Sequence, residues 1–143
     1  MDGVLLLSSD LHYNAFCKAL LDEPVEILDY SEFAGMRTDS AIRKIYKQAK
    51  VVLNPEKFEE IVSRKRKYAA EMLREHLPVA PDCYQVIAEL FRRDISLAIA
   101  SSSSSQNVQL FLDSSGTRNF FSIIMSGEDV ENAKPNPEIF RTV

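Results

Sequence analysis

The chain has 143 residues, the length of one ordinary domain and enough to bury a hydrophobic core. Its composition, 45% hydrophobic and 27% charged, is that of a globular protein and excludes a disordered or fibrous one. The net charge of −4 gives no reason to expect a nucleic-acid or membrane partner, and no apolar run approaches the roughly 20 residues of a membrane helix.

The first half of the chain is predicted to be helical. Apolar residues recur at helical spacing in three stretches, residues 11–21, 38–51 and 55–77, with an irregular segment over residues 22–35. Ser9 or Asp10 could cap the first helix. The third follows Asn54-Pro55, an Asn cap with Pro at the first helical position.

After Pro81 the pattern alternates between helix and strand. Helices are predicted over residues 83–91, 108–112 and 136–143, the first of them capped by Asp82. Apolar runs over residues 95–100 and 120–125 are predicted to be strands, the first of them buried. This alternation predicts an α/β fold with a parallel sheet, built from residues 1–10 and 78–143, into which a helical module of residues 11–77 is inserted.

The two cysteines, Cys17 and Cys83, lie far apart and outside any Cys-x-x-Cys or His spacing. They are therefore predicted to be buried thiols in a reducing compartment rather than a disulfide or a zinc site. We expect a cytoplasmic protein, and a monomer.

Five short stretches stand out for their possible chemistry. They are Asp2-Gly3-Val4-Leu5, Leu11-His12-Tyr13, residues 35–40 around Arg37, Ala98-Ile99-Ala100-Ser101-Ser102, and Lys134-Pro135-Asn136-Pro137-Glu138-Ile139-Phe140. Each has an ordinary explanation when taken alone. Asp2-Gly3 is a turn dipeptide, the run from Ser101 to Ser105 is typical of a flexible linker, and Lys134 could be a surface lysine before a helix.

In this order the stretches resemble the haloacid dehalogenase-like (HAD) hydrolase superfamily, in its β-phosphoglucomutase and phosphoglycolate phosphatase-like branch. The resemblance covers nearly the whole chain. It implies a Rossmann-like core with an incomplete parallel sheet and an inserted helical-bundle cap. It also implies magnesium-dependent phosphoryl transfer through an aspartyl-phosphate, by a phosphatase or phosphomutase that acts on a small phosphorylated metabolite.

The resemblance assigns roles to four residues of the core. Asp2 would be the general acid/base, and its backbone carbonyl would be a magnesium ligand. Ser101, the first residue after a predicted strand, would bind the phosphate together with Ser102. Both would lie at the end of a strand, the position at which α/β sheets bind ligands. Lys134 would neutralise the phosphate and the aspartate cluster.

Three further residues receive weaker assignments as substrate-binding residues. Arg37 resembles a cap arginine that binds a distal phosphate, although a solvated arginine at a helix start is the ordinary alternative. His12 resembles a histidine at the hinge, or is merely structural. Lys67 matches a cap lysine that faces the substrate. The run Arg64-Lys65-Arg66-Lys67 is otherwise interpreted as a solvated helix face rather than a nucleic-acid patch.

The chain departs from the family pattern at both ends. The nucleophilic aspartate would precede Met1, and the acidic motif that supplies magnesium carboxylates would follow Val143. We therefore expect no tight Mg²⁺ site and no activity of the chain by itself, with Mg²⁺ used by a longer parent protein. The alternative is a catalytically dead member of the family that serves as a binding or interaction module.

Overall fold

The computed structural model describes residues 1–143, and it has six α-helices and one two-stranded parallel sheet. The helices are α1 (Ser9–Ala19), α2 (Thr38–Ala49), α3 (Pro55–Glu75), α4 (Cys83–Arg92), α5 (Ser105–Ser115) and α6 (Glu138–Thr142). The strands are β1 (Leu97–Ala100) and β2 (Phe121–Met125), and short 3₁₀ helices cover Tyr30–Glu32 and Arg118–Phe120. The predicted α/β class with a parallel sheet is confirmed.

The helices of the first half pack around one hydrophobic cluster. Its twelve buried residues lie between Phe16 and Val62, and α1 and α2 both pack against α3. The start of α3 follows the predicted signal, because the Asn54 side chain accepts a hydrogen bond of 2.7 Å from the Lys57 amide. The long helix α3 thus begins in this cluster.

A second hydrophobic cluster lies under the sheet. It joins Leu6 and Ile99 to α4 through Ile87 and to α5 through Phe111. Leu73, near the end of α3, also belongs to it, so α3 contributes to both clusters. The two clusters are compatible with the predicted division into residues 1–10 with 78–143 and residues 11–77, which stays a prediction.

The sheet is less buried than the sequence indicated. Strand β1 begins at Leu97 rather than at Ile95, because Asp94 has a left-handed backbone with φ of 57° and Ile95 is exposed. Ile99 faces the second cluster, whereas Ala98 is exposed. The prediction of a buried first strand is therefore correct for Ile99 only, since α4 and α5 cover one face of the sheet.

Two local predictions about polar residues are also corrected. Asp82 precedes α4, but its backbone is left-handed and its side chain makes no capping hydrogen bond. Cys83 is buried as predicted, whereas Cys17 is exposed.

None of the helices is long and apolar enough to cross a membrane.

A tight turn at the start of the chain fixes Asp2. The amide of Leu5 donates to the carbonyl of Met1 at 2.8 Å, and the amide of Gly3 donates to the carbonyl of Leu6 at 2.8 Å. Gly3 has a φ of +72°, a conformation that a residue with a side chain rarely adopts. Leu6 is fully buried in the second cluster, so the turn anchors Asp2 beside the sheet.

Candidate functional site

A cleft of about 170 Å³ lies between the helices of the first half and the end of β1. The structure brings five of the predicted site residues together around it: Asp2, His12, Ser101, Ser102 and Lys134. The other polar residues that line it are Tyr30, Thr38, Lys65, Arg66, Ser103, Ser104 and Asn107. The side chains of this cleft carry three lysine or arginine charges and one carboxylate, a balance that favours an anionic ligand.

The serine run forms an ordered connection between β1 and α5 rather than a linker. The Ser101 amide donates to the carbonyl of Met125 at 2.9 Å, and the Ser101 hydroxyl accepts from the Ser103 amide at 3.1 Å. Ser104 caps α5. The hydroxyl groups of the run therefore lie at the carboxyl end of β1, where parallel sheets bind ligands.

Gly127 allows the loop after β2 to approach this serine run. A Cβ atom at Gly127 would lie 2.5 Å from the carbonyl oxygen of Ser102, a distance that real side chains do not tolerate. The Gly127 amide also donates to the carbonyl of Ser103 at 2.8 Å. The close contact requires a residue without a side chain here.

Three side chains fix the carboxylate of Asp2 in the cleft. Its Oδ1 accepts from the Ser8 hydroxyl at 2.6 Å and lies 3.1 Å from His12 Nε2, while its Oδ2 accepts from the Ser103 hydroxyl. Burial by itself would raise the pKa of Asp2, but the interactions with His12, Ser103 and Ser8 outweigh it and hold this pKa well below its usual range. Asp2 is therefore ionised at neutral pH.

A buried lysine completes a chain of three titratable groups. Lys65 on α3 has only 6% of its surface exposed, and its Nζ lies 3.3 Å from His12 Nδ1. The ammonium group donates, so Nδ1 accepts and the Nε2–H of His12 points at Asp2. Burial lowers the pKa of Lys65 to about 8, with Asp2 opposing and Arg66 adding to the shift.

Lys134 reaches the same cleft from the segment before α6. Its Nζ donates to the carbonyl of Ala100 at 2.8 Å, at the end of β1, and lies over the ring of Phe140. Burial lowers the pKa of Lys134. The ammonium group is therefore held next to Ser101 by the strand end itself.

Two predicted substrate residues, Arg37 and Lys67, do not line this cleft. The Arg37 guanidinium makes a bidentate ion pair with Asp39, at 2.7 and 2.8 Å, and donates to the carbonyls of Gly127 and Val130 at 3.3 Å each. Lys67 is exposed and lines a separate groove. Because successive helical residues are rotated by about 100°, Lys65 faces the cleft where Lys67 was predicted to face it.

The interpretation of Arg64-Lys65-Arg66-Lys67 as a solvated helix face is wrong for two of its members. Lys65 is buried, and Arg64 donates at 2.6 Å to Glu23, whose side chain has 5% of its surface exposed. Hydrogen bonds from Arg64, Tyr46 and Lys57 overcome the effect of burial and lower the pKa of Glu23. The spacing of Ile61, Lys65 and Ala69, four residues apart, was the available signal for a buried lysine.

The residues of this chain do not form a magnesium coordination shell. The structure contains no cluster of three or more His, Cys, Asp or Glu side chains that could hold a metal ion. The Asp2 carbonyl accepts no hydrogen bond, but a single carbonyl does not meet the octahedral oxygen shell that Mg²⁺ requires. Asp2 is moreover the sole carboxylate that lines the cleft, and its oxygens are already hydrogen-bonded.

Sequence reasoning missed the two serines that hold Asp2. Ser8 lies at the N-cap position of α1 but makes no capping hydrogen bond, because its hydroxyl donates to Asp2 instead. Ser103 had no predicted role beyond its place in the run from Ser101 to Ser105. Asn107, on the first turn of α5, was also missed, and its buried Oδ1 has no hydrogen-bond partner. No local pattern distinguishes these residues from ordinary caps and loops.

The comparisons of the chain with known proteins agree on one protein family. A family model described as haloacid dehalogenase-like hydrolase matches residues 1–143. Pyrophosphatase PpaX from Bacillus cereus (strain B4264) is 26% identical over 141 residues, which cover 96% of this chain and 62% of that protein. The chain thus spans less than two thirds of the length of this relative. PpaX from Oceanobacillus iheyensis is 39% identical over 69 residues, 46% of this chain and 32% of that protein.

Solved structures show the same relationship. CbbY from Rhodobacter sphaeroides in complex with xylulose-(1,5)bisphosphate has a TM-score of 0.82 and 25% identity, and the match covers 99% of this chain and 67% of that one. A β-phosphoglucomutase from Clostridium difficile has a TM-score of 0.86 at 20% identity, with 98% and 65% covered, which shows the likeness of fold. The family model covers the whole chain, so the chain belongs to the haloacid dehalogenase-like hydrolase family, as the sequence predicted.

Proposed function

We propose that the complete protein transfers a phosphoryl group from a small phosphorylated metabolite, as a phosphatase or a phosphomutase. The observation that carries the proposal is the juxtaposition of Asp2 with the strand-end serines and Lys134 in one cationic cleft. The relatives support a phosphorylated substrate, because one is named a pyrophosphatase and a CbbY structure holds phosphate.

Ser101, Ser102 and Lys134 are the proposed phosphate-binding residues. Hydroxyl groups and backbone amides at a strand end donate to phosphate oxygens, and the start of α5 adds a favourable dipole. Lys134 supplies a point charge at the same strand end, held by the carbonyl of Ala100. The buried, cationic setting strengthens each of these interactions relative to bulk water.

Asp2 is the proposed general acid/base. Its ionised carboxylate is ready to take a proton from an attacking water or hydroxyl group, and the proton so gained is available to a leaving oxygen. His12 and Lys65 are positioning residues in this proposal. Their hydrogen-bonded chain fixes the orientation of the carboxylate and favours its ionised form.

The aspartyl-phosphate step needs a second carboxylate, and the cleft provides Asp2 only. We therefore propose that the 143-residue chain alone binds a phosphorylated ligand without turnover, and that the nucleophile and Mg²⁺ belong to the complete protein. Residues 11–77 would act as a cap over a core of residues 1–10 and 78–143, in a cytoplasmic monomer.

Two measurements test this proposal. The chain alone and a version preceded by an apolar strand that ends in Asp are assayed with p-nitrophenyl phosphate and magnesium. We expect turnover by the extended version only, and magnesium-dependent turnover by the chain alone would contradict the proposal.

Binding of inorganic phosphate to the chain alone is measured by titration calorimetry. Lys134→Gln should weaken phosphate binding about tenfold or more, because a charge-assisted contact is lost. Lys18→Gln, which removes an exposed charge outside the cleft, is the matched control and should leave the affinity unchanged.

A further inference from the structure

Arg37 joins the helical half of the chain to the loop that follows β2. It immediately precedes α2, and its Nη1 atom donates to three backbone carbonyls of that loop. The distances are 3.3 Å to Gly127, 3.3 Å to Val130 and 3.4 Å to Glu131. These acceptors lie 90 or more residues further along the chain, so the contact holds together two segments that are far apart in sequence.

Asp39 fixes the direction of the Arg37 guanidinium. The Nε and Nη2 atoms of Arg37 donate to the two carboxylate oxygens of Asp39 at 2.7 and 2.8 Å. Asp39 belongs to the first turn of α2, so the ion pair is attached to that helix. Because the guanidinium is planar, a bidentate pair on one edge determines where Nη1 points. All three nitrogens of the guanidinium thus have protein partners.

The loop after β2 also holds the serine run that connects β1 to α5. The Gly127 amide donates to the carbonyl of Ser103 at 2.8 Å, and Gly127 packs so closely on Ser102 that a Cβ atom would lie 2.5 Å from its carbonyl oxygen. The hydroxyl groups of Ser126 and Ser105 lie 2.8 Å apart. The position of the loop therefore determines the position of the serine run.

Arg37 lies behind the proposed phosphate-binding residues rather than beside the ligand. Ser101, Ser102 and Lys134 line the cleft and also a second cavity of about 10 Å³, whereas Arg37 lines the second cavity only. A cavity of this size has room for about one water molecule and none for a phosphate. Arg37 is thus separated from the cleft by the residues that would bind the ligand.

We propose that Arg37 is a positioning residue of the phosphate site, which holds the loop after β2 against the serine run and so couples the placement of α2 to phosphate binding. This inference rests on the phosphate site proposed above at Ser101, Ser102 and Lys134. Arg37 itself makes no contact with the phosphate. Three carbonyl oxygens that converge on one cation repel one another once the cation is removed, so the loop relaxes and the serine run loses its support.

Titration calorimetry of the 143-residue chain with inorganic phosphate, at constant ionic strength, measures the effect of Arg37 on affinity. We expect Arg37→Gln to weaken phosphate binding about 5- to 50-fold, the range of a coupling between two sites. Arg37→Lys keeps the charge but not the planar fork, and it should lose nearly as much. If the lysine variant bound phosphate as the unmodified chain does, the charge alone would account for the effect and the proposal would be wrong.

Arg64→Gln is the matched control for a merely structural role. The Arg64 side chain is 26% exposed, against 22% for Arg37, and it also donates to a carboxylate, that of Glu23 at 2.6 Å. This ion pair lies within the helical half of the chain, away from the loop after β2. Arg64→Gln should therefore lower stability and change phosphate affinity less than about twofold. Equal losses of affinity in Arg37→Gln and Arg64→Gln would reduce the role of Arg37 to general stability.

Amide hydrogen exchange provides a local measurement of the same coupling. The Gly127 amide reports on the loop, and the Ile61 amide, inside α3, reports on the helical half. Arg37→Gln should speed exchange at Gly127 about tenfold relative to Ile61, and Arg64→Gln should not. Because coupling is reciprocal, phosphate should slow exchange at Gly127 in the unmodified chain. An unchanged Gly127 amide in Arg37→Gln would show that Arg37 does not hold the loop.

The measurements separate a failure at Arg37 from a failure of the phosphate site. If the unmodified chain does not bind inorganic phosphate, the phosphate site and the role of Arg37 both fail. If the unmodified chain and Arg37→Gln bind phosphate equally while Lys134→Gln binds it more weakly, the phosphate site stands and only the role of Arg37 is overturned.

Discussion

The Nε2 atom of His12 lies 3.1 Å from the Oδ1 oxygen of Asp2, and the opposite ring nitrogen of His12 lies 3.3 Å from the ammonium group of Lys65. Two helices of the first half of the chain, α1 and α3, thus orient the carboxylate of Asp2. The arrangement couples the position of α1 and α3 to the ionisation of Asp2. It leads to the first two predictions.

Replacement of His12 by Ala should alter the pH dependence of the proposed reaction. Loss of its donor to Asp2 should raise the pKa of that carboxyl group and move the acidic limb of the kcat profile of the extended protein to higher pH. We expect kcat to fall about ten- to a hundredfold near neutral pH, with a smaller change in KM, as a lost charge-assisted hydrogen bond implies. A profile of unchanged shape would show that His12 is merely structural.

Lys65 should make stability depend on pH above neutrality. The ordinary pKa of 10.5 applies to the unfolded chain, whereas the folded value is about 8. Between these values the unfolded state binds more protons, so the free energy of unfolding should rise with pH across this window. Lys65→Met should remove this rise, an effect on the order of 3 kcal/mol. Urea unfolding of both proteins from pH 7 to 10.5 measures the difference, and parallel curves would contradict the prediction.

Asp2 should make stability depend on pH with the same sign as Lys65, but in an acidic window. Its folded-state pKa lies below the ordinary value of 3.8, so its contribution is fully present above that value and is lost as the pH falls. Asp2→Asn should therefore be less stable than the unmodified chain at pH 7, and the gap should begin to narrow below about pH 4 and shrink further as the pH falls. Urea unfolding at pH 7, 5 and 3 checks this, and a gap of constant size would show that the charge is not involved.

Gly127→Ala should disturb both stability and phosphate binding. The new methyl group would meet the carbonyl oxygen of Ser102 and force the two loops apart, at a cost of about 1–3 kcal/mol in the free energy of unfolding. Phosphate affinity should fall at the same time, because the serine run moves. Gly116→Ala is the matched control. Its φ of 65° is strained for alanine but its surroundings are open, so it should lose stability without losing phosphate affinity.

Arg37→Lys should lower stability and reduce turnover of small and large substrates equally in the extended protein. The guanidinium contacts Asp39 and backbone carbonyls rather than the cleft, and lysine cannot reproduce a bidentate pair. The comparison uses p-nitrophenyl phosphate and fructose 1,6-bisphosphate. A selective loss on the bisphosphate would restore Arg37 as a substrate-binding residue.

Local sequence signals were sufficient to predict an element where a single segment of the chain determines its own structure. The Asn54-Pro55 start of α3, and the strand that ends before Ser101, could both be predicted for this reason. The serine partners of Asp2, Ser8 and Ser103, could not be predicted, and neither could Lys65, the partner of His12. These residues come from three separate segments of the chain. Lys65 is buried and Lys67, two residues further along α3, is not. Which of the two lysines is buried depends on how α3 is rotated about its axis against α1.

The continuous course of α3 through both hydrophobic clusters has a mechanical consequence. Its 21 residues form a rod about 30 Å long, with Phe58 packed at one end and Leu73 at the other. A tilt of about 5° around Leu73 would carry the far end through roughly 2–3 Å, since displacement grows with distance from the pivot. Lys65 lies midway and would move about half as far. Such a tilt would move Lys65 away from His12, which lies on α1, without unfolding a single turn of helix.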